Sequence, residues 1–104
     1  MKWKYWISWQ TFKFGRKSLH QIRKEMLKKS AMICRSIKKL SGVDNEITNI
    51  RIKRYGKGSM VQIMLYLKTS RKFKPKEVNI VRKKVIQKGR YDPNLGIRLV
   101  GKIR

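Results

Sequence analysis

Acidic residues are scarce in this sequence: five Asp and Glu stand against 29 Lys and Arg, a formal net charge of +24 over 104 residues. The five, Glu25, Asp44, Glu46, Glu77 and Asp92, form no acid/base pair recognisable from their spacing. There is no Gly-rich phosphate loop of the Walker type and no nucleophile in an elbow motif, so the sequence speaks against an enzyme. One cysteine, Cys34, rules out an internal disulfide and any multi-cysteine metal site, and the lone His20 has no second imidazole with which to share a metal. No apolar run approaches the roughly 20 residues that span a bilayer. The start, "MKWKYWISW", lacks the continuous apolar stretch and small-residue cleavage site of a secretory signal. The expectation is a soluble intracellular chain with no cofactor, no metal and no small-molecule substrate.

What is present is positive charge on a chain that is still 40% hydrophobic. Self-repulsion from +24 opposes compaction unless a polyanion neutralises it, yet the apolar content is too high for a disordered basic tail. The chain therefore reads as a folded basic domain that lives on a polyanion. Lysine supplies 19 of the 29 positive charges, and Ile and Asn are plentiful, which fits an A+T-rich genome such as that of an organelle, a bacterium or a virus.

Hydrophobic spacing orders the elements. In "MKWKYWISWQTFKFG", Trp3, Tyr5, Ile7 and Trp9 alternate as in a strand, while Trp3, Trp6 and Trp9 recur every third residue, as in an aromatic arm. Residues 1–15 are accordingly read as an arm or a first strand, here an edge strand, and residues 16–104 as one α+β domain. Leu19, Ile22, Met26, Ile33, Ile37 and Leu40 follow three- and four-residue steps, which predicts an amphipathic helix over about 18–41. Ser18 and Gln21 form its capping box and Gly42 its stop.

Ile50 and Ile52, then Val61, Ile63, Leu65 and Leu67, alternate on either side of Gly56-Lys57-Gly58, which is a hairpin. Val78, Val81 and Val85 return to helical spacing, with Pro75 in the first turn, Glu77 near the positive helix end and Gly89 as a stop. "YDPN" is a turn, and "GIRLVGKIR" is the last strand. The order is (β)αββαβ, the split β-α-β pattern of ferredoxin-like domains. Its antiparallel sheet has two helices on one face and leaves the other face open.

Strict alternation then sends Arg51, Lys53, Gln62, Met64, Tyr66, Lys68, Arg98, Val100 and Lys102 to the open face, away from a core that includes Ile97, Leu99 and Ile103. Lysine and arginine there would neutralise phosphates and Tyr66 would stack on an unpaired base, with Arg54 and Arg104 adding charge. A solvated outer face that merely discourages edge-to-edge aggregation is the plain alternative. The first helix brings a second basic surface, from Lys17, Arg23, Lys24, Lys28, Lys29, Arg35, Lys38 and Lys39. Trp3, Trp6 and Trp9 are candidates for docking on RNA or a protein neighbour, or simply for completing the core.

Two family resemblances sit on particular stretches. "RKFKPKEVNIVRKKVIQKGRYDPNLGIRLVGKIR", about a third of the chain, resembles the start of the carboxy-terminal domain of the KH-containing small-subunit ribosomal protein that lines the channel admitting messenger RNA. Gly96, Ile97, Arg98 and Gly101 match its strand, Lys102 and Ile103 replace an Arg-Leu pair, and the Gly-x-x-Gly loop of a KH module is missing. The hairpin, second helix and last strand, from "SGVDNEITNIRIKRYGKGSMVQIMLYLK" onward, resemble the ferredoxin-like domain of cation diffusion facilitators, without that family's metal-binding His and acidic residues.

The first resemblance implies a ribosomal protein, mitochondrial or otherwise organellar, with the bacterial cytoplasm as the alternative location and with ribosomal RNA and neighbouring ribosomal proteins as partners. A DNA-binding plasmid or phage accessory protein, a small nuclease and a protein bound to anionic membrane are the alternatives.

Overall fold

The computed structural model describes residues 2–88 and 95–102, apart from the side chain of Lys88. The elements are β1 (Trp3–Thr11), α1 (Leu19–Ser41), β2 (Asn45–Arg54), β3 (Val61–Thr69), α2 (Pro75–Lys88) and β4 (Gly96–Lys102). The strands lie in the order β2-β3-β1-β4 with every neighbouring pair antiparallel. This is the ferredoxin-like α+β fold. The first segment is thus a strand and not an arm, and it is central in the sheet rather than at its edge. Gly89, the "YDPN" turn, Ile103 and Arg104 lie outside the described residues.

The ends of α1 follow from local chemistry. Ser18 Oγ accepts from the Gln21 N–H at 3.2 Å and the Ser18 N–H donates to Gln21 Oε1 at 3.0 Å, so two amides of the first turn are satisfied reciprocally. At the other end Gly42 takes a left-handed conformation, φ 72°, in which its N–H reaches Lys38 O at 2.8 Å. Ile22, Met26, Ile33 and Ile37 are buried against the sheet, but Leu19 and Leu40, expected in the same stripe, are 41% and 52% exposed. They stand in the first and last turns, where the helical period continues without a sheet beneath it.

The entry to α2 is held by a clamp. Arg71 Nη1 and Nη2 donate to Glu77 Oε1 and Oε2, each at 2.7 Å, and the Lys74 N–H donates to Glu77 Oε1 at 2.8 Å. Just before the helix, the Phe73 N–H donates to the Tyr5 hydroxyl at 2.8 Å, tying the segment to β1. The hydrogen bonds from Arg71, with the Lys74 amide second, hold the Glu77 carboxyl down to about 2, against an ordinary value near 4.5.

The core lies between sheet and helices. Tyr5, Ile7 and Trp9 of β1 meet Val61, Ile63, Leu65 and Leu67 of β3, roofed by α1 and by Val81 and Val85 of α2. Trp9 is 1% exposed, and its indole N–H has no acceptor among the described residues.

Two register shifts break the strict alternation. In β2, Ile47 pairs with Leu67 and Asn49 with Tyr66, which leaves Thr48 as the extra residue. In β4, Leu99 pairs with Tyr5 and Gly101 with Lys4, so Val100 is extra. Gly101 has φ 146°, a conformation costly for any residue with a Cβ. Lys102 consequently falls opposite Trp3, on the helix side, and not beside Arg98 on the open face as alternation had placed it.

Trp9→Ala should lower unfolding free energy by about 3–5 kcal/mol in urea titrations, and Trp9→Phe by much less, since the deleted N–H makes no hydrogen bond. Glu77 carries a depressed folded pKa, so its contribution to stability is complete above the unfolded value near 4.5 and disappears as pH falls through about 2. The stability gap between the wild type and Glu77→Gln should therefore close over that interval in pH-dependent melting.

Candidate nucleic-acid interface

With Tyr5, Ile7, Trp9 and the odd-numbered residues of β3 turned inward, the intervening side chains must face out. Register then builds a row across all four strands: Asn49 opposite Tyr66, Tyr66 opposite Trp6, and Trp6 opposite Arg98. The Trp6 and Tyr66 rings stack with centroids 5.9 Å apart and planes at 21°. Arg98 Cζ lies 4.7 Å from the Trp6 centroid, and Lys4 Nζ 4.7 Å from that of Tyr66. Cations thus hold both members of the aromatic pair, an arrangement favoured by the negative ring faces. The Trp6 indole N–H finds no acceptor among the described residues.

Further charge surrounds the row. Arg51 pairs with Met64, Lys53 with Gln62, and Glu46 with Lys68, so β2 and β3 carry Arg51, Lys53 and Lys68 on the same face. Lys53 Nζ lies 5.3 Å over the Tyr55 ring, and the Tyr55 hydroxyl donates to Gln62 Oε1. Of the expected sheet residues, Arg51, Lys53, Tyr66, Lys68 and Arg98 are brought together. Lys4 and Trp6 join them.

Arg54 does not belong to this surface. It pairs with Val61 on the helix side, and its guanidinium donates to the carbonyls of Gly15 (3.4 Å), Gly58 (3.1 Å) and Lys17. Those bonds fix the β1–α1 connection to the hairpin, so Arg54 is scaffold. Lys102 is displaced by the bulge, and Arg104 lies outside the described residues.

The three tryptophans separate in the same way. Trp9 is inside the core, where it cannot dock on anything. Trp3 is half-buried on the helix side with Lys72 Nζ 5.6 Å from its ring centroid. Trp6 alone lies on the open face.

Helix α1 forms the second basic surface. Lys24, Lys28, Arg35 and Lys39 follow steps of four, seven and four residues, one stripe diametrically opposite the buried one. All four are exposed. The remaining expected cations of this segment have partners in the chain. Lys17 and Lys29 flank Glu25 at 3.2 and 3.3 Å, Lys38 meets Asp44 at 2.7 Å, and Arg23 Nη1 donates to Ile50 O at 2.6 Å. Exposed ion pairs of this kind are weak and leave the lysines open to exchange for phosphate.

Among the described residues, no three His, Cys, Asp or Glu side chains are grouped so as to hold a metal ion. Burial pushes the Cys34 thiol up, away from the reactive thiolate.

A double-mutant cycle of Trp6→Leu with Arg98→Gln should show a coupling of about 0.5–1 kcal/mol in urea unfolding. No protein-family model matches the sequence, and no curated protein matches it.

Proposed function

We propose that this chain is a structural RNA-binding protein of a ribosomal particle, mitochondrial or otherwise organellar, which neutralises phosphate and holds folded RNA in place. The observation that carries the reading is that cations stand on the outer faces of both layers: Lys24, Lys28, Arg35 and Lys39 on α1, and Lys4, Arg51, Lys53, Lys68 and Arg98 on the sheet. A protein that lies on a single duplex needs one basic side. Two opposed basic sides suit a chain packed between elements of a large folded RNA, held by backbone contacts and shape.

Charge magnitude supports the same reading. The molecule measures 40 × 27 × 22 Å, so its +24 is confined within a few Debye lengths at physiological salt, about 8 Å each. A polyanion relieves that repulsion and releases counterions as it binds. The similarity of residues 71–104 to a small-subunit ribosomal protein points toward ribosomal RNA, with neighbouring ribosomal proteins as further partners.

The test is cosedimentation with ribosomal particles, together with binding to ribosomal RNA fragments across a salt series. Affinity should fall steeply with salt, and Lys24→Gln with Lys28→Gln should reduce the log–log slope by about 1–2 while weakening all RNA sequences alike. A chain that is monodisperse at moderate salt and never cosediments would sink the proposal. A sequence-specific footprint on duplex DNA that survives competition by ribosomal RNA would replace it with a DNA-binding role.

A further inference from the structure

Beside the aromatic row, the open face of the sheet holds a groove of about 340 Å³ lined by Trp6, Ser8, Gln62, Gly96, Ile97 and Arg98. Ser8 and Gly96 are register partners, and at Gly96 no atom lies within 4 Å of where a Cβ would stand. Tyr66 on β3 and Arg98 on β4 flank the Trp6 indole from its two neighbouring strands, so the ring holds the exposed Arg98 guanidinium in place and that guanidinium contributes the flat side. Gln62 accepts from the Tyr55 hydroxyl through Oε1, which turns its amide N–H groups toward other acceptors.

From this geometry we infer that the groove seats one unpaired base of a single-stranded RNA segment, with Lys4, Arg51, Lys53 and Lys68 taking the flanking phosphates. The inference rests on the RNA-binding reading above and specifies what its sheet face recognises. Aromatic rings and guanidinium planes both stack on bases, and hydroxyl and amide groups read the base edge. A paired base has its faces covered by its neighbours and cannot stack on Arg98. The groove therefore adds affinity for unpaired RNA alone, whereas the helix stripe meets phosphate in any form.

The size fits a small flat ligand, near the lower end of the roughly 300–1,000 Å³ of ordinary ligand pockets. The surrounding charge argues for RNA as the occupant over a protein, because the centre of a protein–protein interface is depleted of charged residues. Since Trp6, Tyr66 and Arg98 are stacked before any ligand arrives, little side-chain ordering remains for binding to impose.

The experiment compares the full chain's affinity for a labelled oligouridine of roughly 12 nucleotides, within the usual site sizes of single-strand-binding folds, and for an RNA duplex of the same length. Trp6→Leu removes the ring against which the Arg98 guanidinium lies. Gly96→Leu fills the groove at a position with room for a side chain.

Both variants should weaken oligouridine binding by roughly 5-fold or more and leave duplex affinity and the salt slope unchanged, and Trp6→Phe should recover most of the loss. Equal weakening of duplex and single strand, or no change in either, overturns the groove while the RNA-binding reading stands. So does a concentration-dependent dimer in sedimentation that Gly96→Leu abolishes with RNA affinities unchanged, which would assign the groove to a second copy. A wild-type chain that binds neither RNA removes the RNA-binding reading itself.

Discussion

The antiparallel register of β1 and β3 is the constraint on which the rest of the molecule depends. Pairing Ile7 with Leu65 sets Tyr5 against Leu67 and Trp9 against Ile63 on the core side. The same pairing sets Trp6 against Tyr66 on the other side. A slip of one residue would bury Lys4, Trp6 and Ser8 and expose the core residues, so burial of the apolar face enforces the register and the register delivers the stacked pair. Formation of the aromatic row needs no separate device. It is the far side of the interaction that makes the sheet stable.

Charge is handled by a different route. With five carboxylates for 29 cations, internal neutralisation is not available as a general strategy, and the acids whose partners are seen stand at joints. Glu77 braces the segment between β3 and α2 through Arg71, Asp44 meets Lys38 at the close of α1, and Glu25 sits between Lys17 and Lys29 near the start of that helix. Arg23 and Arg54 extend the pattern by binding backbone carbonyls, with which a guanidinium makes several donations at once. Arg23, Arg54 and Arg71 thus fasten elements together, while Arg35, Arg51 and Arg98 join the lysines on the surfaces.

Element types and order were legible in the sequence because periodicity carries them: the α1 caps at Ser18 and Gly42 and the alternation of β3 are local signals with local causes. The position of β1 was less so. Its residues fit both a two-residue and a three-residue spacing, and only pairing with β3 and β4 decides for the strand, which a single segment does not encode. Once Tyr5, Ile7 and Trp9 are inward, Lys4 and Trp6 follow outward, so the signal that picks Trp6 from the three candidate tryptophans, and adds Lys4, lay in that same stretch, whereas its partner Tyr66 is set by pairing between strands. The bulge at Val100 and Gly101 was hidden for a related reason: register shifts arise between strands, and alternation read along one strand carries Lys102 to the wrong face. Arg54 was hidden because a side chain's preference for nearby carbonyls depends on which loops the fold brings to it.

These features divide the work between the two layers. The buried stripes of α1 and α2 and the inward half of the sheet use apolar side chains, so the packing there makes no direct contact with a polyanion. The outward half of the sheet and the outer stripe of α1 hold residues that contribute little to the core, apart from the Trp6–Tyr66 stack and its cations. Binding on those faces can therefore proceed without rearranging the interior. Neutralisation should raise stability by removing repulsion that the fold otherwise bears. That gain should be largest at low salt, where the repulsion among the 29 cations is least screened.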